Sequence, residues 1–313
     1  MDRKIAIIGG DKRMVYLAKM MSEENEVIVY GQNNFKNEHI IQANNLENAV
    51  KKSEVIIGPI PFSKDGENVY TEDGEDKIPI KVLMQNAKGK TLIAGAISKE
   101  IYDIAQTYDV IVKDLMQSES LAVLNTIATA EGTVEIAIRR TQKIIHGSKV
   151  LILGFGRVAK VVADKFAKLS ADVTCAARKQ EAFAWIEASG YKVANINELG
   201  DNLKEYDIII NTPPTLILNR NKLKMIKKDC LVIDLASRPG GVDRDAAKEL
   251  DINFEWALAL PGKVAPLTAA EHIKRTIDLI LGTCVNGDGL KWHTDDDFWV
   301  GVKKHQLEYH SYC

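Results

Sequence analysis

The chain has 313 residues, 46% of them hydrophobic and 27% charged, and a formal net charge of −2. That composition is ordinary for a globular protein, and the length suggests about two domains that bury roughly 75% of their extended surface without disulfide or metal staples. The charge balance excludes an electrostatic footprint for nucleic acid, and no run reads as a signal peptide or a membrane span.

From the N-terminus, continuous apolar runs at Lys4–Ile8, Glu26–Tyr30, Glu54–Ile60, Thr91–Ile97 and Asp109–Asp114 predict strands of a parallel sheet covered on both faces. The acidic, glycine-bearing stretch between Pro61 and Pro79 reads as a solvated loop, with a lid over a cleft as the alternative. Residues Gln117–Ile145 carry helical periodicity, with Leu121, Leu124, Ile127, Val134, Ile138 and Ile145 spaced for one face. The strand–helix alternation then restarts at Val150–Leu153, Val173–Ala177, Lys192–Ala194, Asp207–Ile210, Leu231–Leu235 and Phe254–Leu260, before a last amphipathic helix at Thr268–Leu281.

The expected fold class is α/β, with two doubly wound parallel-sheet domains joined by a long helix. The expected divisions are 1–117, a helical connector 118–145, a dinucleotide-binding domain 146–266, a helix 267–281 that packs back, and an irregular tail 282–313. In the tail His293, His305 and His310 fit no zinc spacing, and no metal site is expected. The four cysteines, Cys175, Cys230, Cys284 and Cys313, lack C-x-x-C spacing and read as reduced thiols of a cytoplasmic protein.

The strongest chemical signal is "VLILGFGRVAK", a strand followed by G-x-G-x-x-A and a helix. Gly154 permits the tight turn, Gly156 lets backbone approach a pyrophosphate, and Ala159 allows close packing; Phe155, Arg157 and Val158 complete the turn. An NAD-selective site carries Asp or Glu at the end of the second strand; here Arg178 and Lys179 stand there instead, which suits the 2′-phosphate of NADP. Later strand ends contribute Asn211, Thr212 and Pro213 beside the cofactor, then Asp234 with Ser237 and Arg238 in "DLASRPGG". Pro261, Gly262 and Lys263 follow in a loop near the nicotinamide. Arg238 suits a substrate carboxylate. The opening "IIGGDKR" lacks the third small residue, so Asp11 and Arg13 read as substrate-facing rather than as a second phosphate turn.

At these residues the chain resembles the family of dipicolinate synthase A subunits. The matching stretches are "IAIIGGDKR", "NTIATAEGTVEIAI", "IHGSKVLILGFGRVAK", "DLASRPGG" and "ALPGKVAPLTAAEHI", in order from about residue 4 to about residue 281. The resemblance implies a flavodoxin-like N-terminal domain, an NADP-type Rossmann domain, a partner B subunit that is flavoprotein-like, and the mother-cell cytoplasm of a spore-forming bacterium. It also implies oxidation of a dihydrodipicolinate-type precursor to pyridine-2,6-dicarboxylate. Such a dicarboxylate wants two clamps across a domain cleft: Arg238 with Ser237 on one side, Arg13 with Thr129 and Glu131 on the other, and Lys263 as further charge. Glu131 is the best carboxylate for a base. Two alternatives stay open: another NADP-dependent amino- or hydroxy-acid dehydrogenase, and a nucleotide-binding subunit whose chemistry belongs to a flavoprotein. A homo-oligomer is left open too.

Overall fold

The computed structural model describes residues 3–32, 39–72 and 77–282. The tail beyond 282, with His293, His305, His310, Cys284 and Cys313, lies outside them. By contacts the chain divides into two compact units: Met1–Leu121 with Ala270–Cys313, and Ala122–Ala269.

In the first unit the elements run β1 (Lys4–Ile8), α1 (Lys12–Met21), β2 (Glu26–Tyr30), β3 (Ile40–Gln42), α2 (Leu46–Lys51), β4 (Val55–Ile57), α3 (Ile80–Asn86), β5 (Thr91–Ala94), α4 (Lys99–Thr107) and β6 (Ile111–Asp114). All six strands are parallel, in the order β3-β2-β1-β4-β5-β6. Ile5 to Ile8 and Val27 to Val29 are buried without alternation, as strands flanked by helices on both faces must be. The expected strands hold, but three are shorter. The third ends before Gly58, the fourth before the Gly95–Ala96 turn, and the fifth starts after Asp109, whose φ of 57° breaks extension. The unexpected β3 is three residues long, and only Ile40 of them is buried. Without it the order is that of a five-stranded flavodoxin-like sheet; with it, the order is the six-stranded one of the second unit.

The described residues between Pro61 and Pro79 do not form the solvated loop expected there. Phe62, Val69 and Ile78 are buried in the core of this unit, and isolated bridges pair Ser63 with Val69 and Asn68 with Pro79. The described charged residues of the stretch, Lys64, Asp65, Glu67, Glu72 and Lys77, stay exposed around these apolar anchors, which the composition alone disguised.

A 22-residue helix, α5 (Glu119–Arg140), starts in the first unit and continues in the second. It is long and apolar enough to cross a membrane by length and composition only, which corrects the expectation that no stretch reaches spanning length. Its buried face also differs from the expected stripe. Ala128, Ala130, Thr133, Ile136 and Ala137 are inside, whereas Ile127 and Ile138 are exposed, Ile138 at 61%. Small residues let the helix sit close to its neighbours: a side chain on Gly132 would meet Val264 and Leu260.

The second unit runs β7 (Lys149–Leu153), α6 (Arg157–Lys168), β8 (Asp172–Ala177), α7 (Gln180–Ala188), β9 (Lys192–Asn195), β10 (Ile208–Asn211), α8 (Arg220–Leu223), β11 (Leu231–Asp234), α9 (Arg244–Glu249), β12 (Asn253–Trp256) and α10 (Leu260–Val264). Its parallel order, β12-β11-β10-β7-β8-β9, changes direction at β7, so the carboxyl ends of β7 and β10 flank the switch point where ligands of open α/β sheets bind. The expected last strand, Phe254–Leu260, stops at Trp256, and the expected loop around Pro261 is the short α10. The final helix, α11 (Pro266–Leu281), returns to the first unit. There Ala270, Ile273 and Ile277 join the core of Ile5, Met14 and Leu17, and Arg3 donates to the Leu281 carbonyl at 3.0 Å.

Candidate functional site

At the carboxyl end of β7 the chain turns through Gly154, whose φ is +91°. A Cβ there would lie 2.6 Å from Thr212 Oγ1 and 3.1 Å from Pro213 Cγ, so the residue must be glycine. Thr212 closes the other side of this turn, donating its hydroxyl at 2.8 Å and its N–H at 3.1 Å to the Leu153 carbonyl. Gly156 then begins α6 in an extended conformation with no side-chain cap, and a Cβ on it would meet nothing within 4 Å. The N-terminus of a 12-residue helix therefore opens onto free space, with its dipole and first-turn N–H groups directed at it. Ala159 is fully buried, as close helix–strand packing requires. Val158 is half-buried in the first turn of α6, which Arg157 opens. Phe155 leans away toward α7: its ring is edge-on to Tyr191 at 6.5 Å, and Lys160 Nζ stands 5.6 Å from it and 5.5 Å from the ring of Trp185. No sequence motif singles out Tyr191 and Trp185, which lie well along the chain, whereas Lys160 ends the turn motif itself.

Arg178 and Lys179 follow β8 directly, both exposed, and no carboxylate among the described residues forms an ion pair with either. The geometry thus fits a dinucleotide: a glycine cradle that a Cβ would fill, an uncapped helix N-terminus, and cations at the end of the next strand.

Asp234 and Asn211 are placed differently from the expectation. Both are fully buried at the ends of β11 and β10, and they bind each other rather than face a ligand. Asn211 Nδ2 donates to Asp234 Oδ1 at 2.7 Å and to the Pro213 carbonyl at 3.0 Å. Asp234 accepts further N–H bonds from Ala236 at 3.0 Å and Gly241 at 2.8 Å. A carboxylate removed from water at a strand end needs such donors, and the loop amides supply them. Ser237, Arg238 and Pro239 form the exposed apex of that loop, the Gly240 N–H closing a turn onto the Ser237 carbonyl at 2.8 Å. No ion pair holds Arg238 among the described residues. Lys263 is exposed on α10, with Pro261 and Gly262 in the same short helix.

Three candidates are otherwise engaged. Arg13 is 7% exposed: it grips Asp11 through Nε at 2.9 Å and Nη2 at 2.7 Å, and also donates to the Ile60 carbonyl. It is a structural clamp within its own unit, not a free cation for substrate. Glu131 is exposed and paired with Lys165 at 2.8 Å, eight residues into α6, which is about 12 Å along the helix from its N-terminus. It borders a groove of about 640 Å³ shared with Val134, Ile138 and Leu169, away from the glycine turn. Thr129 donates back to the Asn125 carbonyl at 2.8 Å, as threonines inside helices do.

Comparison with known proteins agrees with this fold. Residues 4–116 match the family described as the N-terminal domain of the dipicolinate synthase A subunit. Residues 135–254 match shikimate / quinate 5-dehydrogenase, which makes the second unit dehydrogenase-like and points to a nicotinamide dinucleotide. The A subunit of dipicolinate synthase of Bacillus subtilis (strain 168) is 32% identical over 284 residues, covering 89% of this chain and 95% of that protein. The crystal structure of the same subunit from Bacillus halodurans superposes with a TM-score of 0.82 at 29% identity, covering 88% of this chain and 97% of that one. The crystal structure from Bacillus subtilis superposes at 0.80 with 30% identity, covering 90% and 96%. With a dinucleotide turn in the matching fold and a relative aligned over nearly its whole length, the chain belongs to the family of dipicolinate synthase A subunits.

Proposed function

We propose that this chain is the nucleotide-binding subunit of an NADP-dependent oxidoreductase. It converts a dihydrodipicolinate-type precursor into pyridine-2,6-dicarboxylate, working in the cytoplasm with a flavoprotein-like B subunit. The observation that carries the reading is the open turn at Gly154 and Gly156, followed at the end of β8 by two exposed cations, in a chain of this family.

A bound nicotinamide dinucleotide supplies a hydride acceptor for a ring carbon, and the ring releases one proton as it becomes aromatic. The protein's part is to hold and orient. Gly156 and the first turn of α6 receive the pyrophosphate, Thr212 and Pro213 flank the ribose, and Arg178 with Lys179 bind the 2′-phosphate through charge-assisted hydrogen bonds. Arg238, with Ser237 beside it, takes a substrate carboxylate in a bidentate grip, and Lys263 adds positive charge nearby. Glu131, tied to Lys165, has no part in this scheme.

The test is turnover by the purified chain, first by itself and then with its partner, following NADPH and dipicolinate absorbance together. NADP⁺-dependent dipicolinate formation in either condition supports the reading. Tight NADPH binding without turnover in both would leave a nucleotide-binding subunit that does no chemistry of its own.

A further inference from the structure

The loop that carries Arg238 is held from two neighbouring strands. Asp234 accepts the N–H groups of Ala236 and Gly241, so one buried carboxylate grips the loop at both ends. Asn211, on β10, braces that carboxylate from the side. From β12, Trp256 Nε1 donates to the Ala236 carbonyl at 2.9 Å, and the Arg244 guanidinium lies 4.4 Å from the indole ring centre. The far end is tied down again where the Gly241 carbonyl accepts the N–H groups of Ile217 at 2.9 Å and Leu218 at 3.0 Å. Two glycines make the fit possible. A Cβ on Gly240 would lie 2.9 Å from Asp234 Oδ2, and one on Gly241 would lie 2.2 Å from Asn211 Nδ2.

A surface loop that only joined β11 to α9 would not need a buried acid, a buried amide and an indole to fix its course. What this arrangement presents is an exposed guanidinium on a rigid apex. An arginine whose backbone is already held, and whose planar fork is itself rigid, loses less freedom when it grips a planar anion than one on a mobile loop does. We infer that Asp234, Asn211 and Trp256 are positioning residues that pre-organise Arg238 as the receptor for a substrate carboxylate. The inference rests on the dicarboxylate reading above and assigns the loop's role within it.

Trp256→Phe tests it gently, because phenylalanine keeps a ring under Arg244 and removes the indole N–H. The probe is pyridine-2,6-dicarboxylate, titrated calorimetrically with the full chain saturated with NADPH. The expected result is a three- to tenfold weaker affinity, roughly what one hydrogen bond supplies, with NADPH affinity and thermal midpoint nearly unchanged. A purely structural role would shift the midpoint and both affinities together. The decisive arm is a double-mutant cycle with Arg238→Ala: if Trp256 acts through Arg238, Trp256→Phe has no further effect once Arg238 is gone. Additive losses, or unchanged affinity in Trp256→Phe while Arg238→Ala weakens binding, would overturn the positioning role alone. Equal binding by wild type and Arg238→Ala would overturn the carboxylate assignment as well.

Discussion

Two strand-to-helix turns in this chain are made of glycine, one after β1 and one after β7, and the difference between them is where their donors go. At the first, the Gly9 N–H donates to the Tyr30 carbonyl at 2.8 Å and the Gly10 N–H to the Tyr70 carbonyl at 2.7 Å. The carboxylate of Asp11 caps α1 by accepting the Arg13 N–H, so the helix already holds its own anion. At the second, the Gly154 N–H likewise donates to the next strand, to the Ala176 carbonyl at 2.8 Å, and the contrast comes after it: Gly156 opens on empty space and no side chain caps α6. Glycine content alone does not make a phosphate site. An anion binds where backbone donors and a helix N-terminus are left for it.

Adding steric bulk to each turn in its own way puts this contrast at risk. Gly156→Val should lower NADPH affinity roughly a hundredfold or more, since its side chain stands where the pyrophosphate meets the helix. The thermal midpoint should hardly move, because the space is open; unchanged affinity in a fluorescence titration would remove the mid-chain turn as the phosphate site. Arg178→Ala should weaken NADPH binding about ten- to a hundredfold, the range for hydrogen bonds to a charged partner. NADH binding should change far less, and equal losses for the two nucleotides would take Arg178 away from the 2′-phosphate.

The first turn should respond in the opposite sense. Gly10 has φ +107°, and an added Cβ would lie 2.2 Å from Met14 Cγ, so Gly10→Ala should destabilise by about 1–3 kcal/mol. Urea unfolding measures this, with NADPH affinity retained in the folded fraction; a lost affinity at native conditions would mean that this turn also serves the cofactor.

The smallest effect lies at the opposite end of β10 from Asn211. Burial alone would raise the Asp207 carboxyl, but Lys227, the Lys149 N–H and Lys143 outweigh it and hold its pKa at about 2. A depressed folded-state value adds stability above the unfolded value near 3.8, and that stability is lost as pH falls toward about 2. The contribution is at most roughly 2 kcal/mol. Asp207→Asn should therefore be less stable at neutral pH and lose less between pH 4 and pH 2 in acid titrations. NADPH affinity at neutral pH should be the same, since the substitution is remote from the turn.

Much of this was legible from residue order. Unbroken apolar runs located the strands, because strands covered on both faces have no polar side to show. The turn at Gly154 was legible because a tight turn and a close backbone approach both demand glycine. What misled was local composition. The charged stretch after Pro61 hides Phe62, Val69 and Ile78 in the core. The large apolar residues of α5 suggested a face that the fold leaves partly in solvent, because close packing favoured alanines and Thr133. Burial raises the Cys175 and Cys230 thiols to about 12, so both are inert apolar groups, Cys175 within β8 and Cys230 just before β11.

By itself the sequence determined the two α/β sheets, the glycine turn after β7 and the basic end of β8, all written in residues close along the chain. Only the tertiary structure decided which polar groups are free to meet a ligand. Asp234 is taken by Asn211 from the neighbouring strand, Gly10 by Tyr70, Glu131 by Lys165, and Arg13 by the Ile60 carbonyl. Each of these partners is far away in sequence. Most buried donors and acceptors find a mate wherever the fold brings one, and that pairing leaves Arg178 and Arg238 without an ion pair among the described residues and the N-terminus of α6 without a side-chain cap.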